Sequence, residues 1–157
     1  MKAAYLEAVA LVERLHRHFL EVVKVEMDRL GVRDINNVQA LILYNIGNEE
    51  LTVGELTQRG YYLGSNVSYN LKKLIEQGYI AQARSPHDRR SVRIKLTQKG
   101  LDLHRRLDGV FQKHADELGR GTMKLDELQA TDQTLRRIER FWNTTVAEGG
   151  IPTTTAA

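Results

Sequence analysis

The residues with the most definite chemistry in this chain are cations and amides of the kind that meet a polyanion. Arg89 and Arg90 stand side by side in the polar, turn-forming run Pro86-His87-Asp88-Arg89-Arg90. An arginine carried on a projecting turn can enter the narrow minor groove of a DNA duplex and read its shape. Asp88 reads as a brace that ion-pairs with a neighbouring arginine and orients it. Upstream, Ser65, Asn66, Ser68, Tyr69, Asn70, Lys72 and Lys73 crowd into one short segment. An asparagine can pair bidentately with adenine, and Ser and Tyr hydroxyls can bond phosphates or base edges. Lysines neutralise phosphates and make binding salt-dependent. Residues 60–100 hold eight Lys and Arg against two acids, Glu76 and Asp88, a local charge of +6 in a chain of net charge +3. A basic centre flanked by neutral-to-acidic arms suits a polyanion-binding module held by other elements. A solvated charged surface is the plainer alternative.

Those side chains need elements to present them. Tyr5, Val9, Val12, Leu15, Phe19, Val22, Val23, Met27 and Leu30 recur at three- and four-residue steps, which predicts a long amphipathic helix ending near Gly31. A second helix follows, with Asp34 as its expected N-cap and Gly47 as its stop. Thr52 and Glu55 form a T-x-x-E capping box for a short third helix that Gly60 ends. A fourth begins near Ser65, buries Val67, Leu71, Leu74 and Ile75, and ends at Gly78. At about 100° per residue, Ser65, Asn66, Tyr69, Lys72 and Lys73 fall on or near its opposite side, with Ser68 and Asn70 on the flanks. The period then changes to two over residues 79–85 and 91–96, which predicts a two-stranded hairpin with the basic run at its tip. Thr97 can cap a fifth helix, which Gly119 and Gly121 interrupt, and a sixth carries Leu125, Leu128, Leu135, Ile138 and Trp142. The fold class expected is mainly α with a small β-hairpin wing: a winged helix-turn-helix with flanking dimerisation helices.

The wing carries a family resemblance. Asp88, Arg90, Ile94, Leu96, Thr97 and Gly100 match the wing signature of the MarR family: Asp, any residue, Arg, then an apolar position, Leu-Thr, and Gly three residues after the Thr. The stretch with Val67, Ser68, Tyr69, Leu71, Leu74 and Gly78 is similar to the family's recognition helix, and the element order resembles it from Tyr5 to about Thr145. The run from Gly60 to Leu71 is similar to the PetP/LdtR subgroup. The resemblance implies an obligate homodimer, palindromic double-stranded DNA sites, and repression relieved by a small effector. It also implies that Arg90 enters the minor groove. Tyr69 departs from the pattern, since many members carry arginine there, so the operator sequence does not follow.

On this reading residues 1–146 form one unit. Residues 1–31 and 97–146 supply dimerisation helices, 34–96 form the DNA-binding lobe, and 147–157 a loose tail. The terminal helices have apolar stripes too extensive for the lobe to cover, and packing against a two-fold copy would bury them. A monomer that folds these helices back on itself is the alternative. For a small aromatic or anionic effector, the candidate lining is His16, Phe19, Leu20, Gln39, Leu43 and Tyr44, with His104 as a further possibility. Plain core and interface roles compete with that assignment.

Other classes of function find little support. There is no cysteine, which removes disulfides, thiolate catalysis and cysteine metal sites and fits a cytoplasmic protein. No glycine-rich phosphate loop, G-x-S-x-G or H-E-x-x-H pattern occurs, so neither an enzyme, a cofactor nor a metal site is expected. No apolar run approaches the roughly 20 residues of a membrane span, and residues 1–7 do not read as a signal peptide. The runner-up is a winged helix used for protein–protein contact. Its difficulty is the lysine-rich face, since protein interfaces deplete lysine at their cores.

Overall fold

A computed structural model describes residues 1–59, 64–84 and 91–151, with the backbone alone at 64 and 65. The order among them is α1 (Lys2–Arg29), α2 (Asn37–Ile46), β1 (Leu51–Thr52), α3 (Val53–Gln58), α4 (Gly64–Glu76), β2 (Ile80–Arg84), β3 (Val92–Leu96), α5 (Gln98–Gly121) and α6 (Leu125–Ala147).

Local sequence sets most of the boundaries. α1 closes through Gly31 at φ +73, with Val32 N–H bonded to the Met27 carbonyl at 3.0 Å. α4 ends in the same way: Gly78 takes φ +78 and Tyr79 N–H returns to the Leu74 carbonyl at 2.9 Å. This is the left-handed closure that glycine allows at no steric cost. Thr52 and Glu55 form the expected capping box on α3. Two expectations are corrected. The N-cap of α2 is Asn36, whose side chain accepts from Gln39 N–H at 2.8 Å while Gln39 Oε1 accepts from Asn36 N–H at 2.9 Å. Asp34 is instead drawn to Tyr79 and Lys99. α5 also passes through Gly119 without interruption and stops at Gly121.

The sheet holds one strand more than the hairpin expected. β2 and β3 pair antiparallel from Ile80 opposite Leu96 to Arg84 opposite Val92, and β1 pairs with the other edge of β3, Leu51 opposite Ile94. The strand order is β1-β3-β2. β1 therefore ties the start of α3 directly to the wing.

The chain divides into two compact units, Met1–Phe111 and Gln112–Ala157. In the first, Val23, Ile42, Leu43, Ile46, Leu56, Val67, Leu74, Ile94 and Leu107 are fully buried. The joint between β3 and α5 is one residue long. Thr97 donates its hydroxyl to the Gly78 carbonyl at 2.6 Å and accepts Gly100 N–H at 3.2 Å, so it both caps α5 and holds it to the end of α4. Gly100 lies so close to the Tyr79 carbonyl that a Cβ would collide with backbone. In the second unit, α6 has no buried residue, and Leu125, Leu128, Leu135, Phe141 and Val146 are exposed.

Candidate nucleic-acid interface

The outward face of α4 follows from its inward one. Val67, Leu71 and Leu74 are buried against α2, α3 and β2. That leaves Asn66, Ser68, Tyr69 and Lys72 exposed and Lys73 half-buried. Tyr69 is 61% exposed, an aromatic ring standing largely in solvent. Lys73 Nζ lies 3.2 Å from Glu76, a surface pair that DNA phosphate can replace at little cost. Lys72 is exposed, and no ion pair of it is seen among the described residues.

One of the seven α4 candidates does not face outward. Asn70 is 8% exposed; its Oδ1 accepts from Gln39 Nε2 at 3.1 Å and its Nδ2 donates to the Asn66 carbonyl at 2.8 Å. Buried, and with its oxygen and its amide nitrogen each bonded inside the lobe, it is not placed to read a base. The signal that would have placed it was available. Positions 67, 70, 71 and 74 follow the i, i+3, i+4, i+7 spacing of a buried stripe. The side chain of Ser65, and the wing residues Asp88, Arg89 and Arg90, lie outside the described residues. On the strands that carry the wing, Arg84, Arg93 and Lys95 are exposed. Glu55 is held below the usual carboxylate range, chiefly by the Thr52 backbone N–H, with the nearby Arg93 and Arg59 adding to the effect.

The effector candidates separate in the same way. Leu43 is fully buried, and Gln39 is 6% exposed with both ends of its amide bonded, so neither offers a surface to a ligand. This corrects their assignment as lining. His16 and Phe19 are exposed, and Leu20 and Tyr44 half-buried. Tyr44 stacks on His104 with centroids 4.8 Å apart, meets Phe111 edge-on at 4.9 Å, and donates its hydroxyl to Asp108 at 2.9 Å. Burial and the Asp108 carboxylate together raise the Tyr44 phenol. Phe111 in turn lies 5.7 Å from Phe19. Beside this aromatic group a surface cavity of about 350 Å³ is lined by Asn48, Leu101, His104, Arg105 and Asp108. Of the sequence candidates, only His104 borders it.

Comparison with known proteins gives the class. Residues 35–100, which hold α2 to the start of α5, match the family described as winged helix DNA-binding domain. The exopolysaccharide II synthesis transcriptional activator ExpG of Rhizobium meliloti is 39% identical over 145 residues, covering 92% of this chain and 75% of that protein. Streptococcus pneumoniae FabT, solved in complex with DNA, shares the fold with a TM-score of 0.70 at 24% identity, over 89% of this chain and 98% of that one. Staphylococcus aureus MarR, solved with salicylate and kanamycin, gives 0.73 at 22% identity, over 90% and 93%. The chain belongs to the MarR family of winged helix DNA-binding transcription regulators. It is a regulator rather than an enzyme.

Proposed function

We propose that the protein binds a palindromic operator as a homodimer and represses transcription until a small aromatic or anionic effector releases it. The observation that carries the dimer is the apolar face of α6. A helix with no buried residue, and with Leu125, Leu128 and Leu135 exposed along one side, offers an apolar surface that a second copy can cover. Exposed Leu11, Leu15 and Val22 share one side of α1. In this reading residues 1–31 and 97–146 build the dimer and 34–96 the DNA lobe. Two copies of α4 are set about one turn of DNA, roughly 34 Å, apart. Ser65, Asn66, Ser68, Tyr69, Lys72 and Lys73 meet the major groove, and Arg90, oriented by Asp88 and backed by Arg89, enters the minor groove. The effector occupies the Tyr44–His104 side of the lobe, reaching toward Phe19, Leu20 and His16, where aromatic faces and the Arg105 cation suit an aromatic anion. A cytoplasmic location accords with this role, and no helix among the described residues is long and apolar enough to cross a membrane.

Gel shift of the purified chain on its own upstream intergenic DNA, across a salt series and with excess unrelated duplex, tests the reading. Competitor-resistant, salt-sensitive binding at a stoichiometry of two chains per site is expected. Binding lost equally to any duplex favours the protein-contact alternative. Activation is a second reading, favoured by the relative named an activator. In vitro transcription from the bound promoter separates it from repression.

A further inference from the structure

We infer that Gln39 and Asn70 form a positioning clasp that sets the rotation of α4 about its axis, and so determines which side chains reach the bases. The inference rests on the DNA-reading role of α4.

The clasp is a directional chain of amides. Asn36 N–H donates to Gln39 Oε1 at 2.9 Å, Gln39 Nε2 donates to Asn70 Oδ1 at 3.1 Å, and Asn70 Nδ2 donates to the Asn66 carbonyl at 2.8 Å. Turning the Gln39 amide over would set donor against donor at Asn36 and acceptor against acceptor at Asn70, so its orientation is fixed at both ends. The capping box also holds the root of Gln39, since Gln39 N–H is bound by Asn36 Oδ1 at 2.8 Å. Both clasp residues are buried, and 31 positions separate them in sequence. The anchor thus belongs to the start of α2, while the held group lies one residue from Tyr69 and one turn from Asn66.

A polar pair is not what stability alone would select at this position. Buried amides lose water for bonds of modest net value, and an apolar pair of similar volume is often as stable or more so. Buried polar groups can instead exclude neighbouring arrangements. The contacts of Val67, Leu71 and Leu74 are non-directional, whereas a hydrogen bond at 3.1 Å depends on angle as well as distance. A rotation of α4 would carry Tyr69 and Asn66 off the base edges while leaving Lys72 and Lys73 near phosphates. Selectivity should therefore fall while general DNA affinity persists.

The test uses the full-length protein and a duplex selected by the unaltered chain from a random pool. That selection is the control for the DNA-reading role itself; the clasp is judged by the ratio of affinities for the selected duplex and an unrelated one. In Gln39→Met/Asn70→Leu both amides of the 3.1 Å bond are replaced together, so neither is left facing an unpaired partner; the Asn36 N–H also loses its acceptor, at an exposed residue where water can replace it. The melting temperature should stay near the original while the ratio falls about tenfold, the scale of one lost base contact. A ratio within about twofold of the original overturns the clasp, as does an equal loss on both duplexes. Should that variant not fold, Gln39→Glu decides on the same ratio. It keeps the acceptor for Asn36 and sets a carboxylate oxygen in place of the donor to Asn70; the cost of burying that charge is read in the melt, separately from the ratio.

Discussion

The middle of the chain and its terminal helices treat apolar residues in opposite ways. From Val23 to Leu107 the large aliphatic side chains converge on one core, and even its polar members Gln39 and Asn70 are bonded to each other. Along α6 comparable leucines and a phenylalanine face outward. Amphipathicity alone does not separate the two regions, since α4 and α6 both carry a regular stripe. The difference is whether the covering surface lies in the same unit. A region that covers itself has a stability of its own. One that does not has a stability tied to protein concentration.

The largest effect expected is on the uncovered side. If α6 builds the proposed dimer, Leu135→Arg, a charge among its exposed leucines, should give monomer in sedimentation velocity where the original gives dimer, and abolish operator binding at concentrations where the original is saturated. A variant that remains dimeric would place the interface elsewhere. Next is the self-covered side: Leu74→Ala should cost about 2–5 kcal/mol in denaturant melts. That loss should be independent of protein concentration in monomeric backgrounds, which distinguishes it from the first. A third contrast lies within the DNA lobe. Arg90→Ala should weaken operator binding by about 1–3 kcal/mol without changing the melt, whereas Lys72→Ala should weaken all duplexes alike and lower the salt slope by about one ion. An unaltered slope removes the phosphate role of Lys72.

The smallest effect concerns the seam joining the lobe to α5. Asp34 Oδ1 accepts from the Tyr79 hydroxyl and Oδ2 from Lys99, each at 2.8 Å, and the Lys99 ammonium sits 4.2 Å from the Tyr79 ring centre. Partial burial works against the Asp34 charge, but the Lys99 and Tyr79 bonds outweigh it and hold the carboxyl below its ordinary value of 3.8. Burial first, then the Asp34 carboxylate, raises the Tyr79 phenol. A depressed folded-state carboxyl contributes stability above its unfolded value and loses it as pH falls through the folded one. Asp34→Asn should therefore flatten the acid limb of the stability–pH curve below about pH 4, by less than about 1 kcal/mol for so exposed a pair. An acid limb identical to that of the original would show that the bonds of Asp34 to Lys99 and Tyr79 contribute nothing there.

Much of this was legible in the residues. Thr52 and Glu55, Gly31 and Gly78, and the stripe Val67–Leu71–Leu74 each encode a boundary or a face locally, and the structure uses them as read. What escaped depended on partners distant in sequence. Leu51 and Thr52 become a strand only because β3 runs beside them, and a two-residue segment has no period to detect. Asp34 looked like a cap by type, yet Asn36 stands at the right distance from Gln39 and Asp34 has a cation 65 positions away. Asn70 falls by phase on a flank of α4, where its chemistry decided the reading. An amide on a recognition helix suggests a base, but its place on the buried stripe sends it inward to Gln39.

The one-residue joint at Thr97 makes chain length there as constrained as residue identity. With β3 ending at Leu96 and α5 starting at Gln98, no slack separates a pleated strand from a helix of fixed pitch. Inserting one residue would advance α5 by about 100° and about 1.5 Å. Leu103 and Leu107 would turn out of the core, and the close approach of Gly100 to Tyr79 would be lost. Away from Thr97 and Gly100 the residue types along this seam can drift; insertions and deletions should be purged from its lineage, leaving the spacing from the wing to α5 as a ruler by which distant relatives can be aligned.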